Sequence, residues 1–172
     1  MQIQEFVNNF KNHPVIFIGT GFSLRYLDNS YSWDSLLKKI ASDFQHNEEY
    51  YLGIKSKCKN KYNSYDFDRV ASYIENDFNT YLENNRYGEF EHINDIFFEN
   101  MRNDINISRF KLYIAELLKN IELKENMLSE ITELKKARKN IGSVITTNYD
   151  CLIEKLFSFE PLIGNNILLS NP

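Results

Sequence analysis

The sequence predicts an α/β fold in which a largely helical layer is set between two parallel strands, and three observations carry that prediction. Val15-Ile16-Phe17-Ile18 is a short unbroken apolar run that stops at Gly19-Thr20-Gly21, as a buried parallel strand entering a glycine loop would. Ser143-Val144-Ile145-Thr146-Thr147 repeats the pattern and runs into a polar loop. Between them, apolar residues recur at helical spacing through most of the chain. This order is that of a Rossmann-like parallel sheet with a large helical insertion, about residues 64–140, between the first and second strands. Two firm strands and one weaker are fewer than the roughly five or six of a doubly wound sheet, so the sheet is expected to be incomplete in this chain.

Each element has a local reason. Ile3, Phe6, Val7 and Phe10 fall at i, i+3, i+4 and i+7, one face of a short opening helix that His13-Pro14 stops. Ser32 can cap a helix whose buried face is Trp33, Leu36, Leu37, Ile40 and Phe44. From Gln45 to Asn63 the aliphatics thin out among Tyr, Asn and Lys, which predicts a surface loop. Helical periodicity returns at Phe67, Val70, Ala71, Ile74 and Phe78, and at Phe90, Ile93, Ile96 and Phe97. It continues at Phe110, Ile114, Leu117, Leu118 and Ile121. A further helix with Leu128, Ile131 and Leu134 ends in Lys135-Lys136-Ala137-Arg138-Lys139, cations suited to a helix C-terminus, with Gly142 as terminator. Asp150 begins a helix through Leu152, Ile153, Leu156 and Phe157, and Ile167-Leu168-Leu169 is the weaker third strand.

At 172 residues and 42% hydrophobic, the chain can bury a real core, and one domain spanning 1–172 is the expectation. The 13 Phe and 11 Tyr fall mostly at helical spacing and read chiefly as core. A net charge of -4 with both signs scattered offers no basic stripe for nucleic acid. Cys58 and Cys151 stand far apart, without metal or redox spacing, so reduced thiols and no metal are expected. Met1 to Phe10 lacks the basic start and apolar run of a signal peptide, and no stretch approaches a membrane span. A soluble cytoplasmic protein is the expectation.

Two loops carry candidate chemistry. Gly19-Thr20-Gly21 after a strand suits a pyrophosphate, because glycines let backbone N–H groups approach the phosphates and Ser23 can add a hydroxyl; a tight turn with no ligand is the alternative. The dinucleotide fingerprint of hydride-transfer dehydrogenases is not matched: Leu24 stands where the third glycine belongs, and Asp43 lies inside a helical pattern. Thr146-Thr147-Asn148-Tyr149-Asp150 gathers small hydroxyl and amide groups where a strand gives way to a helix, the edge at which open α/β sheets bind ligands. The alternative makes Asp150 a helix cap and Asn148 a turn residue.

Ile16-Phe17-Ile18-Gly19-Thr20-Gly21-Phe22-Ser23 resembles the GAG-x-S opening of sirtuins, and Ile145 to Asp150 resembles their TQNID segment. The chain is still more similar to the bacterial sirtuin-like domains associated with anti-phage defence. Their SW-x-x-LL helix is matched by Ser32 to Leu37, their TTNYD-x-L-x-E segment by Thr146 to Glu154, and an inserted helix by Phe67 to Glu75. The resemblance implies hydrolysis of NAD to nicotinamide and ADP-ribose, with a homo-oligomer or larger defence complex as the assembly. It implies that Asn148 is catalytic, holding the nicotinamide-side ribose and the attacking water. Gly19, Thr20, Gly21 and Ser23 match the phosphate and adenosine loop, while Thr147 and Asp150 join the binding set, Asp150 near the nicotinamide pocket. Thr20 replaces the usual alanine.

The family also supplies a histidine base downstream of the asparagine loop. Here His13, His46 and His92 all precede Asn148. The chain is therefore expected to be a truncated or split form that binds NAD or ADP-ribose without efficient turnover. The alternative is a non-catalytic binding or oligomerisation module, and a zinc-supported deacylase is disfavoured because zinc ligands are lacking.

Overall fold

Val15–Ile18 (β1) and Ser143–Thr146 (β2) pair in parallel, Val15 opposite Ser143 and Ile18 opposite Thr146, in a computed structural model that describes residues 14–120 and 122–161. The helix read at residues 3–10, His13, Ile121 and the strand read at 167–169 lie outside the described residues. Eight α-helices accompany the two strands among the described residues. The protein is thus mostly helical with a small parallel sheet, an α/β arrangement. It divides into a sheet unit, residues 1–30 and 121–172, and a helical unit, Tyr31–Asn120. The helical unit therefore begins well ahead of residue 64 and closes before residue 140.

In the sheet unit, β1 leads through Gly19 into α1 (Thr20–Tyr26). At the point where the chain leaves and returns, Asp28 N donates to Glu122 O at 2.9 Å and Lys124 N to Tyr26 O at 2.9 Å. The returning chain forms α7 (Leu128–Ala137), β2 and α8 (Leu152–Phe157). Ile18, Tyr26, Leu27, Ile131, Ile141, Leu152, Ile153, Leu156 and Phe157 form its core, with Ile16 and Val144 packed against it. These alternate residues place one face of the sheet on the core. The other face carries Val15, Phe17 and Ile145, at 59%, 68% and 56% exposure, so the strands are covered on one side where both were expected to be buried.

Other corrections are local. Arg138–Asn140 prolongs α7 as a 3-10 turn and Ile141 is already extended, so Gly142 stands at the head of the strand pairing, its N–H donating to Pro14 O at 3.0 Å, and not at the helix end. Leu128 is exposed, leaving Ile131 as the buried anchor of α7. Arg25 and Tyr26 of α1 both reach Glu130 of α7: Arg25 Nε and Nη2 donate to the two carboxylate oxygens at 3.0 and 2.7 Å, and the Tyr26 hydroxyl donates at 2.6 Å. Those two donors hold the Glu130 carboxyl below its ordinary range.

The helical unit comprises α2 (Trp33–Gln45), α3 (Glu48–Lys57), α4 (Phe67–Asn84), α5 (Glu91–Arg102) and α6 (Arg109–Leu118). Ser32 caps α2 as expected and closes a reciprocal box with Ser35. Leu36, Leu37, Ile40, Ala41 and Phe44 face the core, but Trp33 lies 42% exposed. The stretch read as a loop contains α3. Asn47 caps it, Glu48 and Glu49 open it, Lys55 and Lys57 close it, and Tyr51, Ile54 and Cys58 supply a buried stripe. Tyrosine and cysteine take the places that aliphatics usually hold, which hid the period.

Phe78 on α4 is fully buried at the centre of an aromatic cluster, 5.5 Å from Phe44, 5.3 Å from Phe90 and 5.3 Å from the stacked ring of Tyr113, centroid to centroid. Along α5 only Ile93 and Asn94 are buried, while Ile96 is exposed and Phe97 lies under the Arg109 guanidinium at 3.9 Å. Arg109 is itself buried. Its Nε donates to Asn94 Oδ1 at 2.7 Å and its Nη1 to Glu83 at 3.1 Å, while Asn94 Nδ2 donates to Leu82 O at 3.1 Å.

Candidate functional site

The in-register pairing of β1 and β2 brings the two loops singled out in the sequence to one edge of the sheet. Ile18 lies opposite Thr146, so Gly19 and Thr147 leave their strands side by side. Asn148 then joins the loops directly. Its side-chain Nδ2 donates to Gly19 O at 3.2 Å and to Ser23 Oγ at 2.8 Å. Its backbone N–H donates to Thr146 Oγ1 at 3.0 Å, which fixes the turn from which the amide projects.

The orientation of the amide follows from its neighbours. A carbonyl oxygen only accepts, so the group facing Gly19 O must be the NH2. Asn148 Oδ1 is consequently turned the other way, where it is buried and has no hydrogen-bond partner among the described residues. An acceptor so placed costs about 1–3 kcal/mol. Glu154 Oε2, on the first turn of α8, is the other buried side-chain atom without a partner among the described residues. Both lie in the segment from Asn148 to Glu154, and both require a donor.

The glycine loop has its own geometry. Gly19 is extended, with φ -112° and ψ -177°, and no side chain caps the helix that follows. A Cβ built at Gly19 or at Gly21 would meet nothing within 4 Å. Neither position needs glycine for the protein's own packing. The surface above the loop is open. Thr20 is half-buried and Gly21 exposed, while Ser23 is buried and faces Asn148.

Asp150 Oδ1 accepts from Leu152 N at 3.0 Å, an Asx turn just ahead of the helix, whose N-cap is Cys151 and carries no side-chain cap bond. The helix accordingly begins at Leu152, two residues after the expected start. Thr147 lies beyond the end of β2 and is exposed. Asn148, Gly19 and Ser23 are thus brought into contact, whereas Asp150 is tied into the start of α8. The matched motif ends on Glu154 but gave it no role, and its buried, unpartnered Oε2 is visible only in the structure. His46 and His92 belong to the helical unit and are exposed, His46 at the end of α2 and His92 on α5. No helix among the described residues is long and apolar enough to cross a membrane, and no group of three or more His, Cys, Asp or Glu side chains converges among them. Comparison with protein-family models, with curated proteins and with solved structures gives no match to this chain.

Proposed function

We propose that this chain carries the NAD-binding portion of a Rossmann-like, sirtuin-like NAD glycohydrolase of the cytoplasmic defence type, and that these 172 residues bind NAD or ADP-ribose without cleaving NAD efficiently. The observation that carries the reading is the Asn148 amide, fastened to the glycine loop through both its protons and left with a buried oxygen that has no partner among the described residues. Support comes also from the open surface over Gly19 and Gly21, where a pyrophosphate would meet backbone and not side chains.

The chemistry fits this division of labour. Cleaving the bond between ribose and the cationic nicotinamide develops positive charge on the ribose, so the site must orient the sugar, tolerate that charge and place a nucleophile. Asn148 can orient a hydroxyl or a water but cannot take a proton. A proton-accepting histidine is not among the residues that follow Asn148. A second reading, a module that senses NAD or ADP-ribose without chemistry, needs only the Asn148 amide and the glycine loop and no proton acceptor.

Calorimetric titration with NAD and with ADP-ribose, alongside measurement of released nicotinamide, tests both. Binding that weakens about tenfold or more in Asn148→Ala, with no enzymatic nicotinamide release, is expected. Failure to bind either ligand refutes the proposal. Release at enzymatic rates that is lost in Asn148→Ala refutes the claim of inactivity.

A further inference from the structure

Resting on the NAD reading above, we infer that Ser23 is a positioning residue. Together with the Gly19 carbonyl, which sets the way the amide faces, it holds the Asn148 amide so that the site offers a hydrogen-bond acceptor, and thereby selects a ligand with a hydroxyl there, a ribose, over one that ends in phosphate.

A primary amide has two protons, and in this structure both are spent inside the protein. The Gly19 carbonyl takes one at 3.2 Å and Ser23 Oγ takes the other at 2.8 Å. A serine hydroxyl can donate or accept, but facing an NH2 group it accepts. Ser23 is only 2% exposed, and its carbonyl oxygen accepts from Leu27 N at 2.8 Å where α1 ends, so the position of the hydroxyl is set by the helix. The amide is thereby held at two points, and Oδ1 is presented where no donor among the described residues reaches it.

That orientation discriminates between chemical groups. Phosphate and carboxylate oxygens at neutral pH bring lone pairs against Oδ1, whereas a ribose hydroxyl brings a proton. The phosphates then belong over the open Gly19 and Gly21 surface and the terminal ribose at Asn148. Without the Ser23 hydroxyl a single carbonyl holds the amide. The sp3–sp2 torsion that carries it is broad, so the amide is held less firmly about its bond to Gly19 O and the preference for a hydroxyl falls.

The test compares ADP-ribose with ADP, which lacks the terminal ribose, on wild-type protein, Ser23→Ala and Ser23→Cys. Wild type is expected to hold ADP-ribose about tenfold or more tighter than ADP. In Ser23→Ala that ratio falls below about threefold, the loss being larger for ADP-ribose than for ADP, a split that general loosening of the fold would not produce. Ser23→Cys keeps the volume with a weaker acceptor and falls between the two. It also carries the test if the alanine variant does not fold. An undiminished ratio in the folded variants, or a wild type that binds the two ligands equally, overturns the role of Ser23 while leaving nucleotide binding intact. A wild type that binds neither ligand refutes the NAD reading itself.

Discussion

Asn148→Ala should be less harmful to the free protein than Ser23→Ala, although Asn148 makes the larger number of bonds. Removing the asparagine side chain deletes two hydrogen bonds, to Gly19 O and Ser23 Oγ, each worth about 1 kcal/mol. It also removes the buried, unpartnered Oδ1, whose relief returns about 1–3 kcal/mol. The groups left behind have other outlets. Gly19 O still accepts from Phe22 N at 3.0 Å, and a freed serine hydroxyl can turn to a carbonyl one helical turn back. Because alanine keeps the backbone N–H bond to Thr146 Oγ1, the net change should stay within about 1 kcal/mol of zero.

Ser23→Ala has no such relief. It strands an amide proton in a part-buried place and leaves Oδ1 as unsatisfied as before, a loss of about 1–3 kcal/mol. The single tryptophan lies in the helical unit, so a probe within the sheet unit itself is the direct measurement. Native-state hydrogen exchange of the β1 and β2 amides provides it, because it reads the opening free energy of the sheet unit itself. Asn148→Ala should leave those amides nearly as protected as in wild type, and Ser23→Ala should exchange faster. The opposite ranking would show that Oδ1 finds a donor in the free protein, and the account of the amide orientation would fall.

Two further predictions concern the helical unit. The hydroxyls of Tyr50, Tyr51 and Tyr113 donate to Asp77, Asp34 and Asp43 at 2.7, 2.6 and 2.8 Å, and burial followed by these carboxylates pushes all three well above the usual tyrosine value. Their contribution is therefore complete below pH about 10, where unfolded tyrosines keep their protons, and declines as pH rises from there toward the raised native values. Urea unfolding followed by helical circular dichroism between pH 8 and pH 11 should show that decline, shallower in Tyr113→Phe; equal slopes would contradict it. Arg109→Ala leaves Asn94 Oδ1 buried without its donor and should destabilise the unit by about 1–3 kcal/mol. Tryptophan fluorescence from Trp33 during urea unfolding measures this, and a loss under about 1 kcal/mol would mean that the Arg109–Asn94–Glu83 contacts are dispensable.

Much of the fold was legible because its signals are local. An apolar run ending in glycine, or a stripe at i, i+4 and i+8 such as Val70, Ile74 and Phe78, reflects which side of a strand or helix meets water, and that is written along a few consecutive residues. The capping of α2 by Ser32 is equally local, a hydroxyl three residues from the N–H that it serves. Legibility failed where residues with mixed character hold the core. Tyr51 and Cys58 bury one side of α3 without looking aliphatic, and Asn94 with Arg109 take interior places that composition would assign to leucine.

By itself the sequence determined the two strands, most of the helices and the two loops that carry the candidate chemistry. Only the tertiary structure decided which atoms those loops bring together. The bond from Asn148 to Ser23 spans 125 residues, and that from Arg25 to Glu130 spans 105. Contacts so distant along the chain leave no periodicity; they exist because β1 and β2 pair in one register and not another. The same pairing decided that the Asn148 amide spends its protons on the protein and keeps its oxygen unmatched, since the Gly19 carbonyl beside it can only accept.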